Sequence, residues 1–154
     1  MTFDDRFLDD HLGRRGTDSG LLLLRLGLAV VFIAHSLYLK LMVFTLPGTA
    51  AFFESLGLPG FGAYLVFGAE ALGGVLIALG LFTRLSAIVL AAVSAGAFWA
   101  HVGAGWLFSN AGGGWEYPAF LFLTSTVLLM TGPGGWTVRR LFRERTDLPA
   151  AVAA

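Results

Sequence analysis

Four long runs of apolar side chains, residues 21–44, 60–82, 85–107 and 118–131, take up most of the 154-residue chain. None keeps the alternation of two that marks a half-buried strand. A bilayer core about 30 Å thick is crossed by about 20 apolar residues in a helix. The pattern therefore predicts an all-α polytopic membrane protein, a four-transmembrane-helix bundle. Asp18 or Ser19 is placed to cap the first helix, which is expected over residues 20–46. Pro47-Gly48 is expected to stop it, because proline has no amide donor and glycine permits the turn. Residues 49–58 carry Ala50, Phe52, Phe53, Leu56 and Leu58 around one acid, Glu54, and predict a short helix at the outer interface or folded over the bundle. Pro59-Gly60 restarts the chain. Residues 81–84 leave room only for a tight turn, so the second and third helices should be antiparallel neighbours. Residues 104–115, with Gly105, Gly112, Gly113 and Gly114, predict a flexible outer loop between Trp106 and Trp115, two residues suited to an interfacial aromatic belt. The fourth helix is expected from about residue 116, with Pro118 harmless in its first turn, to Gly132-Pro133-Gly134. Gly68, Ala69, Gly73, Gly74, Ala91, Ala92 and Gly96 are small enough to let helices approach closely. The chain thus divides into a lead (1–19), a membrane domain (20–135) and a basic tail (136–154) whose end, from Pro149 to Ala154, is expected to be disordered.

Charge adds an orientation. Only 13% of residues are charged and 56% are hydrophobic, against about 25% charged in soluble domains. Nine of the ten basic residues fall on one side of a four-crossing topology: Arg6, Arg14, Arg15, Arg25, Arg84, Arg139, Arg140, Arg143 and Arg145, with Lys40 the exception. Cytoplasmic segments accumulate Lys and Arg, so both termini are expected in the cytoplasm and the protein in the cell's inner (plasma) membrane. The basic tail should lie on the anionic inner leaflet, at roughly 1 kcal/mol per charge. No basic patch is interleaved with aromatics, so nucleic acid is not an expected partner. Five aspartates (Asp4, Asp5, Asp9, Asp10 and Asp18) and the want of an apolar core make residues 1–20 unlike a signal peptide, and the first helix should stay as an anchor. The chain has no cysteine, which excludes dithiol exchange, thiolate nucleophiles, iron–sulfur clusters and Cys-ligated metals. A redox role must then use a bound cofactor or act on a redox-active small molecule.

Ionisable residues within membrane segments cost roughly 2.5 kcal/mol or more and default to functional candidates. Here they are Arg25, His35, Lys40, Glu70, His101 and, at the rim, Glu116. Counting about 1.5 Å per residue puts His35 and His101 at similar levels in the outer half, Lys40 and Glu116 near the outer surface, Glu70 near mid-membrane and Arg25 near the inner boundary. Each has a plain structural reading. Arg25 and Lys40 can snorkel to the nearest surface. Glu70 can be paired with Arg25 or Lys40. Either histidine can donate to a backbone carbonyl. Glu116, beside Trp115 and Tyr117, can complement a helix N-terminus.

The motifs resemble one known family. Arg25-Leu26-Gly27, then Phe32-Ile33-Ala34-His35 and Lys40, are similar to the first helix of the DoxX family of small membrane proteins. Glu70-Ala71-Leu72-Gly73-Gly74 and Leu79-Gly80-Leu81-Phe82-Thr83-Arg84-Leu85-Ser86-Ala87 resemble its second helix and turn. His101, Glu116-Tyr117-Pro118 and Gly132-Pro133-Gly134 complete the likeness, which covers about residues 20–135. The chain departs from the family in having Ser36 where Gly usually follows the histidine, and in a lysine that comes later. The resemblance implies a four-helix membrane bundle associated with quinone-linked or thiol-protective redox systems, including thiosulfate oxidation and resistance to quinone-like electrophiles.

Three functions follow as expectations. In the first, a quinone-linked oxidoreductase or a subunit of one binds a lipophilic redox-active molecule in a polar pocket in the outer half. His35 and His101 hydrogen-bond its carbonyl oxygens, Glu70 relays protons, and these three are the catalytic candidates. Lys40, Glu116, Tyr117, Trp99 and Arg25 are the substrate-binding candidates, with Phe98 helping to wall the pocket. In the second, the chain is a non-enzymatic anchor, assembly or ligand-binding subunit for a partner redox enzyme, docked on residues 49–58 and 104–115 or on the tail. In the third, His35 and His101 ligate haem or a metal. The partners expected throughout are the lipid bilayer, a lipophilic small molecule and a redox protein.

Overall fold

The computed structural model describes residues 5–146, with side-chain surroundings for residue 13 and residues 15–142; the end of the tail lies outside the described residues. Helix α1 (Asp5–Ile33) bends at Gly13, whose φ of −18° and ψ of −129° are not helical. It runs on without a break into a π-helical segment, Ala34–Val43. Together, Arg15–Val43 make one apolar rod of 29 residues. Then come α2 (Leu46–Ser55), α3 (Phe61–Leu79), α4 (Thr83–His101) with an added 3-10 turn (Val102–Ala104), α5 (Glu116–Thr131) and α6 (Val138–Thr146). The rod, α3 and α4 with its turn are long and apolar enough to cross a membrane; α5 is apolar but shorter. The protein is an all-α membrane helical bundle.

Two expected boundaries move. The first helix does not begin at a cap on Asp18 or Ser19, because α1 is already helical there. Nor does Pro47-Gly48 end it. The rod stops at Thr45, which takes φ 61° and ψ 156°, and the Thr45 hydroxyl accepts from the Gly48 amide at 3.2 Å. Pro47 therefore sits in the first turn of α2, where a missing donor costs nothing.

Helices α1, α3, α4 and α5 pack in a ring, with α4 most extensively against α5 and α1 against α3. Their shared core holds Leu28, Ala29 and Phe32 of α1, Ile77 of α3, Ala87 and Leu90 of α4, and Leu121 and Leu128 of α5. Small residues matter where α3 meets its neighbours. A Cβ at Gly74 would stand 2.8 Å from Ile33 Cγ1, and one at Gly73 would stand 3.0 Å from a Leu90 methyl. Gly68 and Gly96, also expected to pack closely, face open space.

The end of the bundle that carries the arginines is closed by the chain itself. Gly80 ends α3 in the left-handed region (φ 70°), and the Leu81 amide bonds back to the Leu76 carbonyl at 2.9 Å. Residues 132–137 fold over the same end. The Gly135 amide donates to the Asp18 carboxylate at 2.6 Å, so Asp18 tethers this segment rather than capping α1. The Arg84 guanidinium lies against Gly132. Arg25, expected to snorkel, is instead fully buried and donates from Nη2 to the Trp136 carbonyl. The turn at Gly80 and the segment at Thr137 cover it: a Cβ on Gly80 would collide with its guanidinium.

Candidate functional site

The centre of the site is an ion pair inside the bundle. Lys40 Nζ donates to both oxygens of Glu70, at 2.8 and 2.6 Å, with the lysine side chain 15% and the glutamate side chain 6% exposed. An unpaired charge could not stay at that depth. The pairing settles between the two structural readings of Glu70: its partner is Lys40, not Arg25.

The π segment explains how Lys40 gets there. In an α-helix, residues five apart point about 140° away from each other at 100° per residue. In a π-helix of roughly 4.4 residues per turn they come within about 50°. His35 and Lys40 are five apart and both lie in this segment, so the late lysine is brought back to the histidine's face. The Phe44 amide still bonds to the Leu39 carbonyl at 2.8 Å, five residues back. His35 is near enough to act electrostatically on the Glu70 carboxylate, and its ring stacks on Tyr117 (6.0 Å between centroids, 24° between planes). Ser36, which the sequence reading passed over except as a departure, is fully buried beside it and donates to the Ile33 carbonyl at 3.1 Å.

Both imidazoles are turned by their own helices. His35 Nδ1 is 2.9 Å from the Val31 carbonyl, and His101 Nδ1 is 2.8 Å from the Ala97 carbonyl. A carbonyl can only accept, so each Nδ1 carries a proton and donates to its own helix, leaving Nε2 as the ring atom that can face a ligand. Their neighbours also differ. His101 faces Phe52 of α2 (6.4 Å) and Gly113, where φ is 75° and a Cβ would press to 3.1 Å on the imidazole. His35 faces α3 and α5. Among the described residues, no three His, Asp or Glu side chains gather as metal ligands would.

Tyr117 also lines an open groove of about 480 Å³, with Trp106, Phe108, Trp115, Glu116, Ala119, Phe120 and Leu123. The connection over residues 105–115 is closed by its own bonds: Trp115 N to Gly105 O at 3.0 Å, Glu116 N to Trp106 O at 3.1 Å, and Asn110 Nδ2 to Ala104 O at 2.8 Å. Trp106 and Trp115 meet edge to face at 4.5 Å, and Phe98 packs on Trp115 at 5.4 Å. Glu116 accepts from the Phe108 amide at 2.9 Å, so it braces the loop while lining the groove. Ala119, Phe120 and Leu123 were missed because an aliphatic or aromatic residue in an apolar helix gives no signal of its own, and Phe108 because one aromatic in an apolar loop gives none either.

Two proposed ligand contacts fall away from this cluster. Trp99 is 54% exposed, and its neighbour Phe98 takes the inward place, since successive helical residues point about 100° apart. Arg25 lies about 20 Å further along the rod by its rise, enclosed at the opposite end.

No solved structure matches the chain. A Bacillus subtilis (strain 168) protein named "Putative oxidoreductase CatD" is 36% identical over 113 residues, covering 73% of this chain and 79% of that protein. The DoxX family profile matches residues 20–103, the span that carries His35, Lys40, Glu70 and His101. The chain is a member of the DoxX family.

Proposed function

We propose that the protein binds a lipophilic, redox-active aromatic molecule of the quinone–hydroquinone type within the membrane, as a quinone-linked oxidoreductase or a subunit of one. One observation carries this reading: the Lys40–Glu70 pair and His35 are joined through Tyr117 to an aromatic groove. The groove offers an apolar bed for a ring and tail. The polar cluster behind it can exchange protons, which quinone chemistry requires along with electrons. The relative's printed name supports the redox class. With no cysteine for a thiol or an iron–sulfur centre, electrons pass to a bound group or to a partner enzyme.

The four helices cross the plasma membrane with both termini in the cytoplasm, which puts the ion pair and the groove in the outer half. The distribution of arginine supports this orientation. Exposed Trp106, Leu107 and Phe108 at the loop end are the surface on which a partner would sit, and they favour the subunit form of the reading.

The test is equilibrium binding of a short-chain benzoquinone and its hydroquinone to the protein in lipid nanodiscs, with empty nanodiscs as reference. Binding of at least one of the pair, weakened about tenfold or more by Tyr117→Ala, is expected from the loss of an aromatic contact together with its apolar area. Binding no greater than to empty nanodiscs ends the proposal.

A further inference from the structure

We infer that the rim of the aromatic groove is a binding site for a lipophilic organic cation, an alkylammonium whose charged head sits against Glu116 and whose chain runs down α5. The inference goes beyond the function proposed above and needs no redox chemistry. Trp106, Phe108, Trp115, Tyr117 and Phe120 line the cavity of about 480 Å³ around the Glu116 carboxylate. Among the described residues, no Lys or Arg lines it. Glu116 Oε1 accepts from the Phe108 amide at 2.9 Å. Among the described residues, Oε2 takes no bond and the carboxylate enters no ion pair. Charge at this end of the bundle points the same way. Residues 44–60 and 102–116, the two connections here, hold Glu54 and Glu116 but no Lys or Arg. The nearby cation, Lys40, is engaged by Glu70.

An aromatic ring face carries negative charge and attracts a cation lying within about 6 Å of its centre, with Trp the strongest such wall. A carboxylate among apolar side chains adds a full charge where water screens it less. An ammonium gains from both, and an uncharged head from neither. The groove also continues past its charge. Phe120 and Leu123 follow Glu116 by four and seven residues, one and two turns along the same face of α5, and both are exposed. An apolar strip therefore runs from the carboxylate along the helix, which suits a chain attached to the cationic head. A zwitterionic phospholipid suits it less. Its phosphate would follow the ammonium into a groove that holds an acid and has no Lys or Arg to meet it.

Decyltrimethylammonium, decylphosphocholine and uncharged decyl maltoside share a chain and differ in the head. Each is titrated below its micellar concentration into the protein in phosphatidylcholine nanodiscs, with empty nanodiscs as reference. Decyltrimethylammonium should bind at one per protein, about tenfold or more tighter than the other two, the effect expected of ring faces and one carboxylate together. Glu116→Gln keeps an oxygen for the Phe108 amide and removes the charge. It should lower the affinity for the cation about tenfold and leave that for decyl maltoside unchanged. Trp106→Leu keeps apolar bulk and removes a ring face, and should weaken the cation about threefold or more. Equal binding of the three heads, no binding above empty nanodiscs, or a cation preference that survives both substitutions overturns the inference. A preference for decylphosphocholine overturns it in favour of a phospholipid headgroup. None of the three carries a redox-active ring, so their failure leaves the benzoquinone reading standing, and failure of the benzoquinone leaves the cation site standing.

Discussion

Glu70 and Lys40 show how a costly residue identifies itself. Charges in the middle of apolar helices are seldom retained without a partner or a task, and each side chain here supplies the other's partner. Removing one member leaves a desolvated charge, which costs about 3–5 kcal/mol where such pairs have been broken. Glu70→Ala and Lys40→Met should each lower the melting temperature of the detergent-solubilised protein by several degrees. The double variant Glu70→Leu/Lys40→Met should recover most of that loss yet bind no ligand. Recovery of stability without recovery of binding, read as a double-mutant cycle, separates the fold's need for the pair from the site's. At the other end, Gly80 combines a left-handed backbone with contact to the buried guanidinium. Gly80→Ala should therefore lower the melting temperature more than Gly68→Ala, where nothing lies within 4 Å. The charges of the site were legible one at a time, because apolar surroundings make them conspicuous. Their pairing was only one of two options, because linear depth does not tell which helices are neighbours. Arg25 was misjudged for the same reason: nothing in its own helix reveals that residues 132–137 return to cover it.

At the scale of elements, the four apolar runs were plain from composition and Pro/Gly punctuation, and the turn after α3 fell where expected. What stayed hidden is local hydrogen-bond choice. Thr45 and Pro47 mark a break whose position depends on a side-chain cap, and the π segment depends on whether one residue is carried as a bulge. That segment makes its own prediction. Deleting Leu37, an exposed residue, should convert it to ordinary α-helix with the lysine four residues after His35, again on the histidine's face. The deletion should leave elution profile and melting temperature close to those of the parent. Deleting Leu72 from the regular α3, by contrast, rotates Gly73 and Gly74 out of their contacts relative to Glu70 and should abolish folding. Equal damage from both deletions would show that the π turn does not absorb the extra residue.

The whole molecule has two unlike ends. One is sealed by Asp18, Arg25 and the returning segment at Trp136; the other carries the tryptophan loop, α2 and the groove. Helix α6 projects Leu141 and Phe142, both exposed, beside a run of arginines, a composition suited to an anionic leaflet. If the sealed end is cytoplasmic, a fluorescent-protein fusion at either terminus should be bright, and an alkaline phosphatase fusion should be active only when inserted between Asn110 and Gly112. The reverse pattern would place the groove in the cytoplasm.

Helix α5 has 16 residues, a length of about 24 Å at 1.5 Å per residue, against a hydrocarbon slab of about 30 Å. A span that falls short of its slab draws the headgroups inward or recruits flanking side chains to meet them. On the flank where Glu116 and Tyr117 open the helix, the lipid surface should therefore dip, carrying water and glycerol oxygens down toward the imidazole. A greasy molecule approaching sideways would find its polar head already near its berth, with only a short slide left to make.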